Sequence, residues 1–277
     1  MTHGREATGA AAAPRTTDTH IVPFRGGGFA PAPRLIYSWL TFAGIIALWQ
    51  FVSSVGAVDP LFLPSPLRIA EALRQLAVTG ELWRHLSASL TRIALGWTIG
   101  TVLGLSLGIA IGLFSLARAV GIPMVAALYP VPKIALLPLL ILWLGIGEAS
   151  KVATIAAGVF FPTVIATFGG VDAVPRNLIR MAQSFNVPTG RIVRRVILPA
   201  ALPSILSGFR ISVSTSLLLL VAAEMIGAQY GLGAFLLMAG NLMQTDQLMA
   251  GVVILSILGL LVGTVLSLLE RSLLAWR

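Results

Sequence analysis

Cysteine is absent from the chain, which excludes disulfides, thiolate metal sites and a cysteine nucleophile. Histidine is nearly as scarce, and His3, His20 and His85 lie too far apart for a zinc-ligand spacing, so no metal site is expected. Charged residues make up only 10% of the 277, against roughly 25% in soluble domains. With 57% hydrophobic residues and a mean hydropathy of +0.92, most of the chain must sit in lipid. The phosphate-cradling pattern G-x-x-x-x-G-K-[ST] is missing too, so any ATP must be handled elsewhere and no cofactor is expected here. The net charge of +9 does not read as a nucleic-acid surface, because the Lys and Arg residues are scattered among apolar segments rather than gathered into a stripe with stacking aromatics.

What is present is a succession of apolar runs. Residues 1–34, rich in Ala, Thr, Gly and Pro, show no apolar periodicity and read as a disordered tail. A cleaved signal peptide is not expected, since the first apolar run starts only near Leu35 and is long enough to stay as an anchor. Nearly uncharged runs then recur at about 35–57, 93–115, 121–144, 152–170, 203–226 and 248–268, which predicts an all-α integral membrane protein of about six spans. The segments holding Arg5, Arg15, Arg25, Arg34, Arg118, Arg176, Arg180, Arg191, Arg194, Arg195, Arg271 and Arg277 outweigh those holding Arg68, Arg74, Arg84, Arg92 and Lys151. The positive-inside rule therefore puts both termini in the cytoplasm.

Gly96, Gly100, Gly104, Gly108 and Gly112 recur every fourth residue in the second span, and a weaker version recurs at Gly259 and Gly263. Small residues at this spacing let another helix approach closely, so the stripe reads as a packing face within or between subunits. Gly104-Leu-Ser106-Leu-Gly108 also matches G-x-S-x-G formally, but a hydrolase needs that pattern on a sharp strand-to-helix turn, and here it falls in mid-span. An intramembrane serine hydrolase is thus the weakest rival. A secondary carrier, which would need midplane ion-coupling groups and internal repeats, is the stronger one.

Between the fourth and fifth runs lies VDAVPRNLIRMAQSFNVPTGRIVRRVILPAAL, too patterned for a simple turn. Pro175 suits a helix start, and Leu178, Ile179, Ala182 and Phe185 recur along one face. Asn186 tolerates the left-handed conformation that ends a helix, and Pro188 cannot continue one. Thr189 can cap a second helix leading to Leu198-Pro199. A short helix, a turn and a second helix at the cytoplasmic face are predicted.

This loop resembles the membrane-subunit signature of binding-protein-dependent ATP-binding-cassette importers: EAA, three residues, Gly, nine residues, Ile, one residue, Leu-Pro. With Leu198 and Pro199 in the terminal positions, Val196 takes the Ile place, Asn186 the Gly place, and Arg180, Met181 and Ala182 the EAA places, so Arg180 reverses the charge of the motif Glu. Leu63-Pro64-Ser65-Pro66, Pro132 to Pro138 with the following Leu-Trp-Leu-Gly-Ile-Gly-Glu148-Ala-Ser-Lys151, Phe160-Phe161-Pro162, Ala223-Glu224-Met225-Ile-Gly227 and Thr245-Asp246 are similar to the branch serving sulfonates, taurine and nitrate. The resemblance implies a permease subunit of a bacterial inner-membrane importer for a small, anionic solute. It also implies a homodimer of permeases, two cytoplasmic ATPase subunits that carry the ATP-Mg and dock on the loop, and an extracytoplasmic solute-binding protein.

Charges within spans are costly unless they face protein or water. Lys133, among Pro130, Pro132 and Pro138, and Glu224, late in the fifth span, are candidate pathway residues if they do not simply pair with neighbours. Glu148 and Lys151, three apart at the outer mouth, read as a solvated local pair, with contact to a binding protein as the sharper alternative.

Overall fold

The computed structural model describes residues 35–56 and 58–274, so the expected tail over 1–34 lies outside the described residues. The described residues divide into two units, one ending at Ile46 and the other beginning at Ala47. The boundary falls inside α1 (Leu35–Ser54), an apolar helix of 20 residues, long enough to span. The second unit continues with α2 (Pro66–Val78), α3 (Glu81–Leu113), α4 (Ser115–Leu128), α5 (Leu137–Leu144) and α6 (Glu148–Asp172). α7 (Arg176–Ser184), α8 (Thr189–Ile192), α9 (Leu198–Met225), α10 (Leu232–Asn241) and α11 (Thr245–Leu273) follow. Among the described residues, five helical runs are long and apolar enough to cross a membrane, or six if α4 and α5 count as one bent span.

That bend revises the third expected span. α4 and the segment Lys133–Leu144 meet at 89° rather than forming one rod over 121–144. Pro130 and Pro132 supply the reason: neither has an N–H to continue the ladder, and the chain resumes only through a single 3-10 turn at Lys133–Leu136. α2, which no expected span covers, starts at a Ser65 cap whose hydroxyl accepts from the Arg68 N–H, with Pro66 at its first position. α3 begins at Glu81, ahead of the expected 93, and so carries His85 and Arg92 into the helix rather than leaving them in an outer loop.

The interior is organised by α3, α6 and α9. A β-carbon placed on Gly96 would lie 2.7 Å from Ile155, on Gly104 2.8 Å from Thr163 and on Gly112 2.6 Å from Val171. Gly100 and Gly108 meet Val159 and Thr167 in the same way. The partners on α6 thus also recur every fourth residue and ascend with the glycines, so α3 and α6 run parallel, and only a bare backbone permits this approach. The parallel course is possible because α4 and α5 carry the chain back between them. α9 packs on an adjoining face of α6 in the opposite sense, with Gly158 against Leu219 and Gly170 against Ser204, and also touches α3, where the Trp97 ring nitrogen donates to the Ser212 hydroxyl at 3.0 Å. The second glycine pair behaves differently: a β-carbon at Gly259 would meet only Leu217 at 3.6 Å and one at Gly263 nothing within 4 Å, so neither packs closely within the protomer.

Candidate functional site

The loop between α6 and α9 builds its turn from a full C-terminal capping motif. α7 ends with Asn186 at φ 53°, the Val187 N–H donates to the Ala182 carbonyl at 3.1 Å, and the Asn186 N–H donates to the Gln183 carbonyl at 2.9 Å. This is the pattern in which a left-handed residue turns the chain back over the last helical carbonyls, with an apolar contact across it. Here Ala182 and Val187 both pack against the cluster of Val171, Val174, Ile192 and Ile197. Pro188 rather than Thr189 precedes α8, and the Thr189 side chain makes no capping bond. α8 then runs through a π-helical stretch, Val193–Ile197, into α9, so the second helix of the loop is the start of a continuous run from Thr189 to Met225.

The faces of α7 are also distributed differently from the expected single apolar stripe. Ile179 and Ala182 turn inward, whereas Leu178, Met181 and Phe185 are exposed, Phe185 at 76%. Arg180, itself exposed, lines an open cavity of about 550 Å3 with Arg118, Asp172 and Arg176. Val196 packs against the loop's core, and Leu198 and Pro199 open α9, where a proline is tolerated in the first turn. The structure therefore brings Arg180, Met181, Ala182, Phe185, Asn186, Val196, Leu198 and Pro199 to one end of the bundle, but on different faces.

Lys133 sits at the 89° break and spends its donors on backbone. Its Nζ donates to the carbonyls of Leu128, Tyr129 and Val131 at 3.0, 2.8 and 2.7 Å, closing the C-terminus of α4 where the prolines leave acceptors free. It also stands 4.4 Å from the centroid of the Phe161 ring.

Glu224 lies at the end of the bundle opposite α7, with no exposed surface, and faces other protein groups rather than a cavity. Its carboxylate accepts from Arg92 Nη1 at 2.7 Å, from the Ser89 hydroxyl at 2.8 Å and from the Gly233 N–H at 2.8 Å. The same Arg92 donates through Nε and Nη2, both at 2.6 Å, to the two oxygens of Glu148, a fork that satisfies carboxylate and guanidinium together. It also donates to the Tyr230 carbonyl at 2.7 Å. Gly231, at φ 140°, has no room for a side chain, because a β-carbon there would come within 2.6 Å of Arg92 Nη1. Lys151, 3% exposed, donates to the Gly147 carbonyl at 2.9 Å. The pairing expected between Glu148 and Lys151 is therefore replaced by Glu148 with Arg92. Arg92, Lys151 and Glu224 are buried and Glu148 is exposed; the two cations and two carboxylates together sum to zero net charge, which makes burial of the first three tolerable.

Arg92 and Ser89 escaped the sequence reading as site residues because the basic stretch before 93 looked like a loop. The signal was nonetheless present: the glycine stripe stepped back by four from Gly96 reaches Arg92. Ser106, by contrast, donates its hydroxyl to the Val102 carbonyl of its own helix at 2.8 Å and lies on no sharp turn, so the hydrolase pattern has no structural context.

Comparison with known proteins agrees with this architecture. The chain is 40% identical over 245 residues to a putative aliphatic sulfonates transport permease protein of Bacillus subtilis (strain 168), SsuC, covering 87% of this chain and 89% of the relative. It is 38% identical to the taurine transport system permease protein TauC of Escherichia coli (strain K12), covering 85% and 88%. A chain from inward-facing conformations of the MetNI methionine ABC transporter shares the fold, with a TM-score of 0.59 at 23% identity over 69% of this chain and 95% of that one. The model of the family described as binding-protein-dependent transport system inner membrane component matches residues 100–275. With its spanning helices and its loop between α6 and α9, the chain belongs to that family: it is an inner-membrane transport permease and not an enzyme.

Proposed function

We propose that two copies of this chain form the pathway of an importer for a small anion of the sulfonate class. Two cytoplasmic ATP-binding subunits dock on the α7 loops and a solute-binding protein delivers solute from the other side. Lipid surrounds the permease, both termini lie in the cytoplasm, and ATP-Mg is held by the partner subunits, with no cofactor in this chain. The observation that carries the docking reading is the exposed apolar edge of α7, Leu178, Met181 and Phe185, held out by a capped turn. Fully burying an exposed side chain of this kind is worth roughly 1.5–3 kcal/mol, and Phe185, 76% exposed, has the most to gain. ATP-driven closure of the partners would draw the two loops together and tilt α6 and α9 as rigid bodies.

The anionic solute is supported by relatives named for sulfonates and taurine and by the half-buried charge of Lys133 at the break in the third span. With its donors engaged by carbonyls, Lys133 acts on an anion through its field rather than by direct contact. The loop is tested by Met181→Cys in this cysteine-free chain: crosslinking to the ATP-binding subunit is expected, and crosslinks only to extracytoplasmic partners would invert the topology. For the solute, Lys133→Glu is expected to lower uptake of an alkanesulfonate or taurine at unchanged complex yield. Unaltered uptake would remove Lys133 from the pathway, and a neutral or cationic solute recovered with the purified complex would overturn the anion itself.

A further inference from the structure

The side of α7 that lines the cavity poses a charge problem distinct from its apolar edge. The cavity of about 550 Å3 beneath it is bounded by the junction of α3 and α4 at Leu113–Ser115, by the end of α6 at Val171 and Asp172, and by Arg176, Ile179 and Arg180 of α7. Arg118 is already committed there, donating to Asp172 at 2.5 Å and to the Ile111 carbonyl at 3.4 Å. Arg176 and Arg180 take part in no ion pair among the described residues. They stand four residues apart on a nine-residue helix and line the same cavity, an arrangement of like charges that destabilises a helix unless something lies between them. Helix ends do not settle the sign, since the N-termini of α4 and α7 and the C-termini of α3 and α6 all open near the cavity and their dipoles oppose one another. The two free guanidiniums do settle it.

We propose that this cavity binds a tetrahedral oxyanion, a phosphate or sulfonate group, held between Arg176 and Arg180. Guanidinium forks match the geometry of such oxygens and lose little hydration in doing so. The inference rests on the cavity and not on the apolar edge of α7, because Arg176 and Arg180 line the cavity whereas Met181 and Phe185 do not. Two sources supply the chemistry. Phe114 and Leu116, exposed beside the cavity, give it an apolar rim that suits the headgroup of an anionic phospholipid; a soluble sulfonate or phosphate would satisfy the arginines equally.

The test uses the transporter complex in phosphatidylcholine nanodiscs, with and without phosphatidylglycerol, and in phosphatidylcholine alone with sulfate replacing chloride at equal ionic strength. The unfolding midpoint of the permease is read, together with the lipid retained in native mass spectrometry. A raised midpoint with one anion is expected in the wild type and in Arg191→Gln/Arg194→Gln, and is lost in Arg176→Gln/Arg180→Gln. A response to phosphatidylglycerol alone assigns the site to lipid, and a response to sulfate alone assigns it to a soluble anion. A wild type that responds to neither, or a double variant that responds like the wild type, overturns the proposal. Should the double variant not assemble, Arg176→Gln alone is expected to require about tenfold more anion for the same shift, as fits the loss of one charge-assisted bond, and an unchanged requirement is equally fatal.

Discussion

The two ends of α6 solve opposite problems. At Glu148 the helix begins inside a network in which Arg92 bridges two carboxylates while Lys151 donates to backbone beside them, packed around a glycine that leaves no spare volume. At Asp172 it ends beside a cavity, an unbalanced pair of arginines and a short helix with an exposed apolar edge. One end pairs its buried charges within the single chain; the other leaves two arginines without an ion pair among the described residues. Stability should therefore reside in the first and interaction in the second, although both are built from the same few residue types.

The sharpest way to break this contrast is Arg92→Ala, which leaves Glu224 buried without its cation and should cost about 3–5 kcal/mol. Thermal unfolding in detergent checks it, and a small shift would mean that the network is not what holds this end. Between the ends, Gly104→Leu should cost roughly 1–3 kcal/mol by forcing α3 off α6, whereas Gly263→Leu, where nothing lies within 4 Å, should leave the isolated protomer within about 0.5 kcal/mol of wild type. Equal effects would show that the close seam is not special. At the loop end, Asn186→Val should destabilise the turn by about 1–2 kcal/mol while Asn186→Gly keeps it, read as the yield of assembled complex. The smallest effect belongs to α2, where the Arg74 fork holds the Glu71 carboxyl down from the ordinary 4.5 to about 2. Because the folded value is the lower one, its contribution is present above pH 4.5 and fades as pH falls towards 2. Glu71→Gln should flatten only that acidic limb of a stability profile.

How far each end could be read from the sequence follows from how local its cause is. Asn186 and Pro188 announce the turn because helix termination is decided within a few residues, and the glycine stripe is visible because its period is fixed by one helix. The partner of the stripe was not legible, since a parallel seam between α3 and α6 depends on what the broken third span does between them. The outward turn of Leu178 and Phe185 was equally hidden: apolar spacing marks a face but does not say whether that face is covered. Arg92 was missed for a different reason, in that a window of charge reads as loop even where the charges are there to neutralise one another. Nor does the motif spacing show that Arg180 lines a cavity beside Arg176, Arg118 and Asp172.

The seam itself has a property that neither end possesses. Glycines every fourth residue on α3 face Ile155, Val159, Thr163, Thr167 and Val171 every fourth residue on α6, so a slide of one step, roughly 6 Å at 1.5 Å per residue, would return nearly the same set of contacts. Such a seam is a graduated scale without a zero mark. The position next in sequence along it on α3 is Arg92 and on α6 is Lys151, and only in one register does the guanidinium reach both Glu148 and Glu224. The ion network is thus an index pin: the glycines decide how close the two helices lie, and the charges decide which graduation they stop at.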